Sequence, residues 1–429
     1  MVCRAHCGWL PLLMTGVLVW LVPAAAYADD ADASLSDAET AAAEYDNNDR
    51  GDEDKTESGA SVVPIPFVAS NPNRGLHAGL LLPIFAFWPD ETVDMFVPSV
   101  SYGGAVDTVL GMRYFHFGAR ESRAEFRYLH STNSELIDLF ADVVFPRLEP
   151  GIGLDFTVNW RKDPFPRFFG IGPDATDETS YTARGITLEA TLWTYLHEHV
   201  RLGLHEVFEL FEVERSPLEL PQTLDVFPEV PGVTETPRIF WHGVRLELDT
   251  RDERSMPREG ILLEATVALA LRALGASFDA NRFAFRLRGV AELLEERMLI
   301  LAGKISFEHV AGPRASTPFQ ALSQLGGHDS WRGGPVGRFT DRRLFFTALE
   351  LRWAAFAVRL FGYDVEAELA PFFELGQVFD GVDDLALNRL QPAVGLGLRA
   401  LVRPRIIGVV DIAFSRDGLA VYTTLSYPF

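Results

Sequence analysis

The chain has 429 residues, with 60 acidic against 38 basic side chains and a formal net charge of -22, which argues against a nucleic-acid surface. It is 48% hydrophobic and holds 32 Phe, yet past residue 64 no apolar run reaches the roughly 20 residues that a membrane-crossing helix needs. Its two cysteines, Cys3 and Cys7, sit at the extreme amino end, so the remainder offers no disulfide, thiol nucleophile or thiolate metal site.

Residues 1–28 read as a secretory signal: Arg4, an apolar run from Trp9 to Val22, then small residues ending in Ala26-Tyr27-Ala28. Cleavage is expected after Ala28, with Ala26 as the other small residue of the site. Residues 29–64 are mostly Asp, Glu, Ala, Ser and Asn, and carry a large share of the net charge. Such a segment buries too little apolar surface to offset its ordering entropy and is expected to be a disordered linker. Asp46 to Glu57 nearly matches a calcium loop, but Arg50 occupies a ligand position and no amphipathic helix follows, which favours a solvated acidic tract.

From residue 65 to 429 the pattern has period two. Arg123 to Tyr128 puts Ala124, Phe126 and Tyr128 on one side and Arg123, Glu125 and Arg127 on the other; Gly185 to Leu192, Val244 to Asp249, Arg282 to Arg288 and Leu349 to Trp353 split in the same way. A soluble two-sheet fold would alternate too. Ionic residues at every second position of strand after strand instead suit an apolar face against lipid and a polar face lining an aqueous lumen. Trp193, Tyr195, Trp241, Trp353 and Tyr427 are candidates for interfacial aromatic girdles. The expectation is an all-β, closed antiparallel transmembrane barrel of about sixteen strands. In that count Ser134 to Phe145 is set aside as a short helix or loop. Tight turns such as Glu295 to Arg297 and Arg416 to Gly418 contrast with long connections at Ser216 to Pro237 and Ala311 to Arg342, and long connections belong outside the cell. The last strand carries Val421, Leu425, Tyr427 and Phe429 on one side.

The second long connection holds Leu325-Gly326-Gly327-His328-Asp329-Ser330-Trp331-Arg332-Gly333-Gly334, then Gly337-Arg338-Phe339-Thr340-Asp341-Arg342. Here the chain resembles the BamA and TamA family of outer-membrane assembly barrels, also called the bacterial surface antigen family, which carries a (V/L)RG(F/Y) motif on a long loop after its eleventh strand. Arg332 and Gly333 match that motif, while Trp331 and Gly334 depart from its flanking positions. Five strand-like segments follow, as in the family. Leu248-Asp249-Thr250-Arg251-Asp252 with Pro257 to Gly260, and Phe168-Phe169-Gly170-Ile171-Gly172, resemble further stretches of it. The resemblance implies a loop folded into the lumen, with Arg332 paired to an acidic residue of the inner wall. The matching element is Phe372-Phe373-Glu374-Leu375-Gly376, so Glu374 is the expected partner, in a charge-assisted contact.

The family's periplasmic POTRA domains have no counterpart between the signal and the barrel. What the resemblance implies is help in assembly, insertion or translocation of proteins at the outer membrane, with strands near the first and last separating to template an incoming β-edge. Outer-membrane lipid and lipopolysaccharide, client β-barrel proteins and periplasmic assembly factors are the expected partners. The alternatives are a passive pore and a structural or surface-antigen barrel. No catalytic residue, cofactor or metal is expected: His197-Glu198-His199 and His205-Glu206 lack the spacing of a helical zinc site, and no nucleophile elbow or phosphate loop occurs.

The mature chain is expected to start at Asp29 and to run as a heat-modifiable outer-membrane band, which intact-mass analysis and unboiled gels will read. Deleting Phe429 should lower assembled barrel far more than synthesis. Unchanged outer-membrane levels would speak against a terminal-strand signal.

Overall fold

The computed structural model describes residues 60–424 apart from 63, 88–92, 119–121, 133, 149–150, 253–255, 295–298, 361–362 and 403–404. The signal peptide with Ala26 and Ala28, the acidic tract with Asp46 to Glu57, the turn at Glu295 to Arg297, and Leu425, Tyr427 and Phe429 lie outside the described residues.

β1 consists of Ala60–Val62 and Ile65–Asn71, and β2 of Gly75–Leu81 and Ile84–Phe87. The interruptions fall at Pro64 and Pro83, which lack the ladder donor. The register nevertheless runs unchanged through both, with Val62 opposite Ile84 and Ile65 opposite Leu81. There follow β3 (Val93–Gly103), β4 (Asp107–Phe117), β5 (Arg123–Ser131), β6 (Ile137–Leu148), β7 (Ile152–Asp163), β8 (Thr182–His197) and β9 (Val200–Glu214). Then come β10 (Arg238–Asp249), β11 (Gly260–Ala270), β12 (Ala280–Leu294), β13 (Leu299–Ala311) and β14 (Arg343–Leu360). β15 (Tyr363–Phe379), β16 (Gln391–Val402), β17 (Arg405–Ser415) and β18 (Gly418–Thr424) complete the chain. Each strand pairs antiparallel with the next, and Ile65–Asn71 of β1 lies beside β18. Among the described residues no backbone ladder joins these two. The molecule is an all-β antiparallel barrel of 18 strands, nearly closed.

Eighteen replaces the expected sixteen for two reasons. The segment set aside at Ser134 to Phe145 is β6, whose pairing with β5 and β7 gives Leu-Ile-Asp-Leu-Phe an extended conformation despite its helix-like spacing. β1 precedes the residues from which strands were counted, and begins at Ala60, inside the segment read as linker. The long loop therefore follows the thirteenth strand, with both additional strands on its amino-terminal side and five strands after it. The Arg416-Asp417 turn joins an odd to an even strand and so sits at the end that carries the long loops, not opposite them.

Period-two sequence becomes two-faced wall. On β14, Leu344, Phe346, Ala348, Glu350 and Arg352 are buried toward the lumen, whereas Leu349 (53%) and Trp353 (46%) are exposed outside. Trp193 and Trp241 are corrections to the girdle reading. Both occupy lumen positions, Trp193 donating from Nε1 to Asp155 Oδ2 (2.6 Å) and Trp241 packing edge-on to Phe278. Inside the long-loop end, Phe168, Val213, Val233, Phe319 and Leu322 form one apolar cluster, in which the connections after β7, β9 and β13 meet. The Ser216 to Pro237 connection is packed there, with Phe319 N–H donating to Pro231 O (2.9 Å) and Gln320 Nε2 to Gly232 O (2.7 Å).

The two faces predict opposite tolerance to charge. Val267→Lys, on the exposed outer face of β11, should cost about 2–4 kcal/mol near the membrane midplane. Thr187→Lys, on the lumen side opposite Glu209, should be nearly neutral. Melting of the folded band in each variant checks both.

Candidate functional site

The connection between β13 and β14 is built to enter the barrel. Ser323–Leu325 pairs with Phe339–Asp341 in a short antiparallel neck. Leu325, Trp331 and Phe339 pack with Leu344, Phe346, Ala348, Val378 and Ala393 of the inner wall. Gly376 makes room on that wall, since a Cβ there would meet the Leu325 side chain at 2.8 Å. At the tip Gly326 adopts φ 126°, a conformation that favours glycine, and Ser330 Oγ accepts from Gly326 N–H (3.0 Å) to close the turn. A Cβ at Gly333 would stand 2.5 Å from Trp331 Cζ2 and 2.8 Å from Ser415 Cβ. The glycine thereby lets Gly333 O accept from Ser415 Oγ at 2.6 Å, and Gly334 O accepts from the Tyr422 hydroxyl.

Arg332 is completely buried. Its Nε donates to Glu374 Oε1 (2.6 Å) and its backbone N–H to Glu374 Oε2 (2.7 Å). Nη1 reaches Asp411 Oδ2 (2.8 Å) and Glu350 Oε2 (3.3 Å). The guanidinium lies 3.4 Å from the centroid of the Phe372 ring, so it is held both in its plane and on its face. Behind it the wall continues the network: Arg399 bridges Glu350 Oε2 and Glu368 Oε1 at 2.7 Å each, and Arg352 Nε donates to Glu350 Oε1 (2.9 Å).

Charge in this site comes close to balance. Glu350, Glu368, Glu374 and Asp411 face Arg332, Arg352 and Arg399, and His328 supplies the remaining cation. Burial works against a charged His328 ring, but Asp329 and Asp411 outweigh it and raise the pKa to about 9. Nε2 is 3.2 Å from Asp411 Oδ2 and Nδ1 3.3 Å from Asp329 Oδ1. Lys304 on β13 fixes the same turn by donating to Asp329 O.

The other residues singled out in the sequence divide into two groups. Arg338 does not join the Arg332 network. It is stacked between Phe169 (4.5 Å) and Phe339 (4.4 Å), donates from Nη1 to Ala175 O (2.8 Å) and pairs with Asp417 at the β17–β18 turn. Asp341 is buried in the neck and accepts from Arg342 N–H (2.8 Å). Gly172 N–H donates to Thr340 O (2.9 Å), so the Phe168 to Gly172 stretch and the loop, far apart in sequence, are in contact. The Asp249 to Asp252 turn lies elsewhere, closed by Arg251 on Asp249 and by Arg258 and Glu259 N–H on Asp252. Sequence reasoning missed Asp411, Arg399 and Glu368 altogether, and saw Glu350 and Arg352 only as alternating charges. The available signal was an ionic residue on the lumen face of an otherwise apolar strand, as at Asp411 between Val409 and Ala413.

A nearly closed antiparallel barrel, apolar outside and ionic inside, with a long loop anchored to its inner wall, is the architecture of an outer-membrane β-barrel. A family model described as the Omp85 superfamily domain matches residues 150–401, and the chain belongs to that superfamily, whose barrels are integral outer-membrane proteins. Among solved structures it is similar to BamA from Haemophilus ducreyi lacking POTRA domains 1-3, with a TM-score of 0.53 and 14% identity over 86% of this chain and 74% of that one. It also matches CdiB from Escherichia coli, with a TM-score of 0.48 and 10% identity over 87% of this chain and 63% of that one. Comparison with the curated proteins finds no significant match in sequence.

Removing Arg332 strands Glu374, while Glu350 keeps Arg352 and Arg399 and Asp411 keeps His328; Glu374→Gln removes the charge that would be stranded. Arg332→Ala should therefore cost about 3–5 kcal/mol and Glu374→Gln less, and the double change should be no worse than Arg332→Ala alone. Additive effects in a double-mutant cycle on the folded-band melting temperature would mean that the two positions are not coupled. Because the His328 pKa is raised on folding, its contribution is complete below its ordinary value of 6.5 and is lost as pH rises through about 9. Melting temperature should fall across that window, and His328→Gln should flatten the dependence.

Proposed function

We propose that this protein assists the assembly, insertion or translocation of proteins at the bacterial outer membrane, without a chemical step of its own. The observation that carries the reading is the anchored loop: Arg332 ties it to Glu350, Glu374 and Asp411, on three of the five strands that follow it. A loop held in the lumen in this way supports a gated or occluded barrel over an open diffusion channel. The side-by-side but unladdered arrangement of β1 and β18 among the described residues supports a seam where an incoming β-edge can be templated. Arg332 with Trp331, Gly333 and Gly334 acts as the anchor, Glu374 as its partner, and Gly326, Gly327, Arg338, Phe339 and Asp341 shape the loop that carries it. Client β-barrel chains, periplasmic assembly factors, outer-membrane lipid and lipopolysaccharide are the partners of this reading.

Depletion of the protein followed by quantitative outer-membrane proteomics tests it. A defined set of barrel or secreted proteins should fall while total synthesis holds, and an unchanged proteome would favour a structural barrel. Planar-bilayer conductance provides an independent measure: small, erratic openings are expected, becoming larger in Arg332→Ala. Large steady openings of the unmutated protein would favour a passive pore.

A further inference from the structure

The outward side chains of β13 and β14 form two columns, apolar apart from Thr347, that each end in a basic group. On β13 the column runs upward through Leu299, Leu301, Ile305 and Phe307 to His309; on β14 it runs upward from Trp353 through Leu351, Leu349, Thr347 and Phe345 to Arg343. For tilted strands each column climbs about 25 Å, the height of the apolar band of an outer-membrane barrel. His309 and Arg343 lie directly opposite each other in the ladder and so mark the upper edge of that band, at the long-loop end. Phe283 on β12 stands opposite His309, and its ring meets that of Phe307 at 6.2 Å.

A guanidinium opposite an imidazole gains nothing from it and is repelled when the ring is charged. The protein meets neither group: Arg343 and His309 make no hydrogen bond or ion pair among the described residues. Arg343 Nη1 and His309 Nδ1 are enclosed without partners, which leaves Nε and Nη2 of the guanidinium and Nε2 of the imidazole open outward. In the adjoining β15–β16 connection Asp380 is already shared by Arg342 and Arg314, and Asp384 Oδ2 accepts from Gly381 N–H (2.8 Å). That connection lies against the outside of the same wall. Gln377 points outward from β15 opposite Phe345, its Nε2 donating to Asp384 O (2.9 Å) and its Oε1 accepting from Ala386 N–H (3.3 Å). The clasp holds the segment beside the upper edge of the band with Leu387 89% exposed, and an apolar side chain so bare at that height is placed to enter lipid.

We propose that Arg343 and His309 hold a phosphate of an anionic lipid of the outward leaflet, a lipopolysaccharide, with Leu387 among its acyl chains. Guanidinium matches phosphate as a two-point donor, and the imidazole adds a third point from the neighbouring strand. The phosphate removes the unmet charge at the edge of the band, where an unpaired cation is costly. A free phosphate or the carboxylate of a protein partner would meet that charge but would leave Leu387 and the apolar columns under Phe307 and Phe345 unused, which is why a lipid fits better. The site takes its membrane from the proposed function but needs no assembly role, so a failed binding experiment and an unchanged proteome after depletion are separate results.

Lipopolysaccharide, its dephosphorylated form and inorganic phosphate, each titrated onto the purified full chain with bound lipid read by native mass spectrometry, provide the test. The phosphorylated lipid should bind roughly tenfold more tightly than the dephosphorylated one, and inorganic phosphate should not displace it. Arg343→Gln should abolish that preference, His309→Gln should reduce it, and Leu387→Asp should weaken both lipids alike, with the heat-modifiable band retained. Arg184→Gln, at another outward rim position where Glu214 already pairs with the guanidinium (3.2 Å), should change nothing. Should Arg343→Gln fail to fold, His309→Gln and Arg343→Lys carry the test, the latter keeping the charge and losing the two-point grip. Equal binding of the two lipids by the unmutated chain, a preference that survives in the Arg343 and His309 variants, an equal loss in Arg184→Gln, indifference to Leu387→Asp, or displacement by inorganic phosphate would each overturn the inference.

Discussion

A guanidinium without access to water needs its charge met by carboxylates on fixed geometry, and much of the inner architecture follows from that need at Arg332. The loop can deliver this side chain only because Gly326 and Gly333 allow backbone paths that a Cβ would block. The wall can receive it only because β14, β15 and β17 each place a carboxylate on the lumen face at the same height, Glu350, Glu374 and Asp411. Those carboxylates would repel one another in an empty lumen. Arg352, Arg399 and His328 offset that repulsion, so loop and wall form one electrostatic unit. Breaking such a unit from one side costs more than its net worth, because the stranded charges remain buried.

A membrane barrel has no dry core between two layers, so its packing is displaced into the lumen. In this protein the connections after β7, β9 and β13 act as a filling, joined through Phe168, Phe319 and Leu322 and through backbone hydrogen bonds from Gly172 to Thr340 and from Phe319 to Pro231. Arg338, stacked between Phe169 and Phe339 and paired with Asp417, joins that filling to the turn before the last strand. Aromatic residues are spent inside as well as outside. Trp193 and Trp241 serve the lumen, where their bulk fills the space left by a wide cylinder.

Barrel class, period-two strands and the loop were legible because each is local: alternation is a property of neighbouring residues, and the Leu-Gly-Gly to Trp-Arg-Gly run is contiguous. Strand number was less legible. β6 has a Leu-Ile-Asp-Leu-Phe spacing compatible with a helical turn, and only its pairing with β5 and β7 decides the matter. β1 carries prolines that read as breaks, although the register passes through them. Glu374 was legible only through the resemblance, which places an acidic residue in the element that Phe372 to Gly376 matches. Asp411 and Arg399 belong to the same site but are single charges among apolar neighbours, and what brings them to Arg332 is the curvature of the closed sheet. No sequence separation encodes that distance.

The polarity of the anchor along the chain sets an order of events. Arg332 has to wait for Asp411, 79 residues later, and Gly334 waits for Tyr422, 88 residues later. Until β17 and β18 are in place, the guanidinium lacks its Asp411 carboxylate and the loop tip lacks its hydroxyl donor. The complete anchoring of the loop tip is thus a late event, and non-local contacts of this kind carry their loop-closure entropy before they return any stabilisation. A barrel whose loop is seated is, for that reason, a barrel whose last strands have already arrived, and the state of the loop reports on the completeness of the wall.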